Sequence, residues 1–343
     1  MASSKKSPTN STAPPPLTSA TLEPARLKPA SRKDKKAAER EAERATDLAA
    51  ELEQAQQRVA AAASVGAQRL AEVLRVGDGF DLTAVDTAGT PGFCGGKAEG
   101  QAALAAGADR LGGLQERLWA QSRGGDVRSV LLLLQGMDTS GKGGIMRHVV
   151  GAADPQGVRH TAFKAPTAQE RSHDFLWRIR NALPQPGELG VFDRSHYEDV
   201  LIVRVHSLVP RASWSRRYGT INRFESSLVD KGTTVVKVML HLGKDEQKAR
   251  LAERLERPDK YWKYNPGDVD ERAHWDAYQE AYQVALTRCS TAAAPWSVVP
   301  ADRKWYARWA VQQLVLDALE DLDPQWPPAD FDVEVQRQRV AQS

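Results

Sequence analysis

Between Val127 and Leu134 the chain becomes almost wholly apolar, ending in the unbroken run Val130 to Leu134. A continuous apolar stretch of this length, as opposed to an alternating one, marks a strand buried on both faces. Four further segments read as strands: Val158 to Phe163, Leu189 to Phe192, Thr233 to Leu242 and Trp296 to Val299. Helical patterns separate them. Ahead of the first strand, Lys97 to Gln121 sets Leu104, Leu111, Leu114 and Leu118 at helix-like spacing. Capping boxes, Thr167 with Glu170 and Ser195 with Glu198, open two of the later helices. Strands alternating with helices imply right-handed crossovers and a parallel sheet covered on both faces, an α/β fold.

The start of the chain follows a different pattern. Residues 1–32 are rich in Ser, Thr, Pro and Lys and poor in large apolar side chains, so they read as a disordered tail. From Lys33 to Val76 the composition shifts to Ala, Glu, Arg, Leu and Gln, which predicts one long helix or an interrupted pair. Pro91, Gly92, Gly95 and Gly96 then mark a loop. The resulting division is a tail over 1–32, a helical N-terminal extension over 33–123, an α/β domain over 124–325 and a C-terminal tail over 326–343. No internal repeat is visible.

Composition narrows the class only slightly. With 41% hydrophobic and 27% charged residues, the 343-residue chain resembles an ordinary soluble protein with a sizeable core. Its longest apolar run is too short to cross a bilayer, so no membrane association is expected. No N-terminal stretch has the apolar centre of a secretory signal. The Ser-rich, acid-poor opening has the composition of a transit peptide but reads better as a solvated tail. Cys94 and Cys289 lie far apart and form no CxxC, which argues against a disulfide framework or a zinc site and fits the cytoplasm. A net charge of +3 does not by itself imply a nucleic-acid partner.

The chemistry concentrates after the first strand. Gly136-Met137-Asp138-Thr139-Ser140-Gly141-Lys142-Gly143, followed by Gly144, has the form GxxxxGK between a strand and a helix. In that setting backbone N–H groups cradle phosphate oxygens, and the lysine offers a mobile charge to the transferring group. Gly143 stands where most such loops carry the Ser or Thr that ligates Mg²⁺, so another group must hold the metal. Asp138 is the natural candidate, because a carboxylate inside a phosphate cradle repels its ligand unless a cation intervenes. An Asp in a turn also has a bland use, capping its own backbone.

Val191-Phe192-Asp193-Arg194-Ser195 closes a short apolar strand. Strand ends on one edge of a parallel sheet are where such folds bind ligands, and an Asp there coordinates Mg²⁺ in P-loop enzymes. Asp138 and Asp193 together form a two-carboxylate site suited to a hard cation. Asp193 can also orient an acceptor or take its proton; its bland reading is an Asp closing a strand-to-helix turn. Arg194 is able to pair with phosphate or with a neighbouring acid.

GMDTSGKGG, FKAPTAQERSHDFLWRIRNALP, FDRSHYEDVLIVRVH and APWSVVPADRKWYARWAV, in that order, resemble the family-2 polyphosphate kinases. The likeness is greatest to the branch of polyphosphate:nucleotide phosphotransferases and runs from about Val85 to Leu322. It implies a thymidylate-kinase-like, three-layer αβα sandwich with a central parallel sheet and a helical lid. It also implies Mg²⁺-dependent transfer between inorganic polyphosphate and an adenine nucleotide, AMP to ADP, with ADP to ATP left open. The family's P-loop Asp and Lys match Asp138 and Lys142, and its second acidic motif matches Asp193 and Arg194. Members of this branch often carry GKDG where this chain has Gly143-Gly144, and Asn where it has Asp193.

Arg250, Arg254 and Arg257 recur at i, i+4 and i+7 on one helical face, and Pro258 ends that helix ahead of Lys260 and Lys263. The stretch 244–272 resembles the family's lid, whose closure excludes water around the transferred group. On its own, this balanced run of acids and bases reads equally as a solvated helix with Glu246 paired to Arg250. Lys164, Arg171, Arg178 and Arg204 are further chain-binding candidates, each with an ion-pair alternative. Trp177, Trp305, Tyr306 and Trp309 read as core, and His173, His196 and His206 as structural or at most phosphate-adjacent. The resemblance also implies a homo-oligomer, dimer or tetramer. The rival readings are an ATP-dependent nucleoside monophosphate kinase and a non-catalytic polyphosphate or nucleotide sensor.

Overall fold

The structure is a computed structural model that describes residues 69–343. The tail expected over 1–32 and nearly all of the helix expected over Lys33 to Val76 lie outside the described residues. The end of that stretch is helical only over Leu70–Val73. Beyond it the chain turns extended: Arg75 bridges Ser297 in antiparallel fashion, and the Val76 N–H donates to the Trp296 carbonyl at 2.8 Å.

Five parallel strands form one sheet: β1 (Ser129–Gln135), β2 (Val158–Ala162), β3 (Leu189–Asp193), β4 (Thr233–His241) and β5 (Trp296–Pro300). Their spatial order is β2-β3-β1-β4-β5, with every neighbouring pair parallel. β1, β3, β4 and β5 fall where the apolar runs place them, as strands covered on both faces do, while β2 is a half-exposed edge strand of sequence VRHTA. All seven residues of β1 are buried. The strand order reverses at β1, so the crevice at the carboxyl ends of β1 and β3 is the natural ligand site of the fold.

The helices form two outer layers. On one face, Leu132, Leu134, Val191 and Leu240 join Leu111, Leu114 and Leu118 of α1 (Lys97–Ser122). Tyr306, Trp309 and Leu314 of α6 (Lys304–Leu322) complete that cluster, beside the short α2 (Lys142–His148). On the other, Leu133, Met239, Trp296 and Val298 pack against α3 (Arg211–Val229) and α5 (Trp275–Cys289). Between β4 and α5 lies α4 (Lys244–Glu256), and the exposed α7 (Val333–Ala341) closes the chain. Residues 97–122, grouped with an N-terminal extension in the sequence reading, thus share one core layer with α6 and α2.

One expected element differs. Thr167 and Glu170 do form a capping box. Ser195 and Glu198 do not: the Ser195 hydroxyl accepts from the Tyr197 N–H and opens a 3₁₀ turn, His196–Asp199. Ser195 is fully buried against Gln135 of β1, and the Glu198 carboxylate turns towards the crevice instead of back to the chain.

Two glycines let α1 approach α6 closely. A Cβ on Gly100 would lie 2.1 Å from the Trp305 ring, and one on Gly107 would lie 2.4 Å from Gln312 Oε1. Gly113, on the same helix, has nothing within 4 Å. Opposite signs are therefore expected. Gly113→Ala should raise stability by about 0.5–1 kcal/mol through helix propensity. Gly100→Ala should lower it by roughly 1–3 kcal/mol, because overpacking outweighs propensity. Urea unfolding of the two variants checks this; equal shifts would contradict the close packing.

Candidate functional site

The turn leaving β1 controls the site. At Gly136, φ is +150° and a Cβ would sit 2.7 Å from the Leu240 carbonyl, so only glycine fits. Thr139 and Gly141 also take positive φ. Five consecutive carbonyls are then bonded by side chains. Lys142 Nζ donates to Gly136 O at 2.8 Å and Met137 O at 3.4 Å. Gln247 Nε2 donates to Asp138 O at 3.0 Å, and Arg250 Nη1 donates to Thr139 O at 2.9 Å and Ser140 O at 3.3 Å. With the carbonyls so engaged, the N–H groups of Asp138, Thr139, Gly141, Lys142 and Gly143 meet no acceptor among the described residues. Unpaired amides at the head of a helix attract anions.

Asp193 ends β3 in register with Leu134 of β1, and the Arg194 N–H donates to Leu134 O at 3.0 Å. Arg194 takes a left-handed φ of +65°, which turns its guanidinium onto Asp138 Oδ1 at 2.7 Å. Burial works against the Arg194 charge, but Glu198 and Asp138 hold its pKa above the ordinary guanidinium value. Burial lowers the Lys142 pKa, opposed by Asp193 and Asp138. It likewise raises the Glu198 carboxyl above the usual range, against Arg194 and Lys142. Glu198 accepts from the Gln135 amide at 3.1 Å when that amide is oriented to satisfy Ser195.

Asp138 and Asp193 both open onto one cleft. Among the described residues no set of three His, Cys, Asp or Glu side chains assembles that would cage a metal. Two hard carboxylates therefore suit a cation that takes its remaining ligands from phosphate oxygens and water, as Mg²⁺ does.

The cleft holds about 780 Å³ and is lined by eleven lysines and arginines against four aspartates and glutamates. Thr139, Ser140, Gly141, Lys142, Gly143, Gly144, Lys164 and Arg194 all reach it, as do Arg254, Arg257, Lys260 and Lys263. Arg254 is tied to Lys263 O and Asp268, and Arg257 and Lys260 share Asp259. Lys263 lies over the Trp262 ring, 4.8 Å from its centroid. Gly136 and Met137 do not line the cleft, and the Met137 side chain is buried. Arg178 lines an adjoining cavity of about 550 Å³ that shares Ala162, Phe163 and Lys164 with the cleft.

Two arginines follow the ion-pair alternative and not the phosphate-binding one. Arg250 borders the cleft but is 5% exposed, and its guanidinium is spent on Glu246 and on the carbonyls of Thr139, Ser140, Ala301 and Asp302. It holds the phosphate loop, leaving no N–H for a phosphate. Arg204 lines neither cavity; it pairs with Glu280 and lies over Trp214. Conversely, Arg147, Lys304 and Arg308 line the cleft and were not singled out from the sequence. Arg147 and Arg308 have no carboxylate partner among the described residues, and burial with the neighbouring Arg147 and Arg250 lowers the Arg308 pKa. The available signal was Arg308 standing alone in the apolar stretch Trp305 to Val311.

The chain is similar to proteins of a known family. The family described as polyphosphate kinase 2 (PPK2) matches residues 95–327. An AMP/ADP-polyphosphate phosphotransferase of Meiothermus ruber is 47% identical over 248 residues, covering 72% of this chain and 91% of the relative. An ADP-polyphosphate phosphotransferase of Rhodopseudomonas palustris is 43% identical, over 64% of this chain and 78% of the relative. The crystal structure of polyphosphate kinase 2 from Arthrobacter aurescens TC1 superposes with a TM-score of 0.79 at 60% identity, covering 81% of this chain and 98% of that one.

The two uses of arginine separate by mutation. Arg250→Met should cost about 2–4 kcal/mol by stranding buried carbonyls. Arg257→Ala, at an exposed position, should stay within about 0.5 kcal/mol of the parent while weakening polyphosphate binding. Thermal unfolding and donor KM read the two effects; a stable Arg250→Met protein would contradict the tie.

Proposed function

Because the chain belongs to the polyphosphate kinase 2 family, we propose that it moves a phosphoryl group between inorganic polyphosphate and a nucleoside mono- or diphosphate. AMP to ADP is the central reaction, and ADP to ATP uses the same site. The observation that carries this reading is the cationic excess of the cleft around the phosphate loop. A nucleotide triphosphate needs few such charges, whereas a polyphosphate chain continues past the loop to Arg147, Lys304 and Arg308.

The loop amides and Lys142 bind the terminal phosphates and orient the one that transfers. Arg194 sits on Asp138 and spreads charge as the bond to the leaving oxygen breaks. Asp138 and Asp193 hold Mg²⁺, which when bound offsets the negative charge of the phosphate oxygens. Asp193 orients the acceptor, and Glu198 aligns Arg194. Within 244–272, the part beyond the Arg250 anchor closes as a lid over the chain and excludes water that would otherwise hydrolyse it. Catalysis is positioning and electrostatics, with no covalent enzyme intermediate. We further place the protein in the cytoplasm, as a homo-oligomer.

With Mg²⁺, long-chain polyphosphate and AMP, the purified protein should form ADP. Asp138→Asn should lower kcat by about 10²-fold or more. Chelation should abolish transfer, and added Mg²⁺ should restore it. No product from polyphosphate, combined with transfer from ATP to a nucleoside monophosphate, would contradict this reading.

A further inference from the structure

Under the site, on the α3 and α5 side of the sheet, lies a closed set of buried charges that the transfer chemistry does not use. Lys237 of β4 is 1% exposed, and its ammonium donates to Glu225 Oε2 at 2.6 Å, the Tyr197 hydroxyl at 2.9 Å and the Cys289 carbonyl at 2.6 Å. Glu225 of α3 is fully buried, and its Oε1 accepts from the Tyr197 hydroxyl at 2.9 Å and meets His196 Nε2 at 3.1 Å. The Tyr197 and Trp296 rings face the ammonium at 5.4 and 5.2 Å. Each ammonium proton thus has an acceptor.

The same helix grips the far end of the turn. Arg217 Nη1 donates to Asp199 O at 2.9 Å and to Asp199 Oδ1 at 2.8 Å. The turn His196–Asp199 is therefore held at His196 and Tyr197 by Glu225, and at Asp199 by Arg217. Glu198, between the two grips, points the other way, to Gln135 and Arg194. Asp199 in turn lies 4.0 Å from Arg178, which lines the adjoining cavity.

Stability alone is a poor reason for this arrangement. A buried ion pair is commonly no better than apolar residues of the same volume, since desolvation offsets attraction. What it supplies is direction: a carboxylate fixed by an ammonium accepts from two consecutive residues of one turn. Resting on the functional reading above, we propose that Lys237 and Glu225 are positioning residues of the transfer site. They fix the 196–199 turn so that Glu198 faces Arg194 and Asp199 faces Arg178.

The test replaces both charges at once, Lys237→Met with Glu225→Gln, so that neither is stranded. The melting temperature should stay within a few degrees of the parent. Amides of residues 194–199 should exchange about tenfold faster, while those of β1 stay protected. Turnover should fall about tenfold or more, with KM for polyphosphate changed less than about twofold. Glu198→Gln should cost much less in this background than in the parent, since its alignment is already lost. Unchanged exchange at 194–199, parent-like turnover, or a full Glu198→Gln effect would overturn the proposal. If the double variant does not fold, Glu225→Asp, whose shorter carboxylate keeps its charge but reaches His196 and Tyr197 poorly, carries the same readouts. A parent that transfers nothing would speak against the functional reading, and the exchange measurement then decides this proposal alone.

Discussion

Five adjacent carbonyls, from Gly136 to Ser140, have to be satisfied for the site to exist. A tight turn that presents N–H groups to an anion exposes its carbonyls on the opposite side, and carbonyls left buried and unpaired cost free energy. Here Lys142, Gln247 and Arg250 take them. Much else follows from that. Gln247 and Arg250 come from one helix, α4, so the element that opens the 244–272 segment is fixed to the floor of the cleft. Lys142 reaches back to Gly136 and Met137, which leaves one of its three N–H donors for a phosphate oxygen.

The cleft pairs this rigid floor with a cationic wall. Like charges held together repel, and in this wall Arg147 and Arg308 have no acid to relieve them among the described residues. A bound polyanion relieves that repulsion, so part of the affinity is stored in the unliganded protein. The acids present are placed selectively. Asp138 and Asp193 stand by the phosphate loop, while Glu253, Asp259 and Asp268 pair with arginines and lysines along the 244–272 segment. The Glu253 and Asp259 pairs with Arg257 are about half exposed and worth little each, which makes them easily exchanged for phosphate, whereas Arg254–Asp268 is more buried.

The strands, the phosphate loop and Asp193 were legible because their signals are local: continuous apolar runs, glycines at fixed offsets, an acid at a strand end. What was not legible depended on depth. Arg250 shares a helical face with Arg254 and Arg257, and periodicity cannot tell that its turn of the helix meets the phosphate loop while the next ones meet solvent. Ser195 and Glu198 have the spacing of a capping box, but Gln135, sixty residues earlier, takes up Ser195. Arg308 was hidden among the tryptophans around it, which are correctly core at 8% and 2% exposure for Trp305 and Trp309. The Lys237–Glu225 network joins a strand and a helix through a third element, and no sequence spacing encodes that.

The most direct test of the account is donor KM as a function of polyphosphate chain length, with AMP as acceptor, from tripolyphosphate to long chains. A loop floor continued by cations beyond it predicts that KM per chain falls as the chain lengthens, then levels off once the wall is spanned. Added salt should weaken long chains more steeply than short ones. A KM independent of length would mean that only the phosphate loop binds the donor, and would contradict the reading of the cleft as a polyphosphate track.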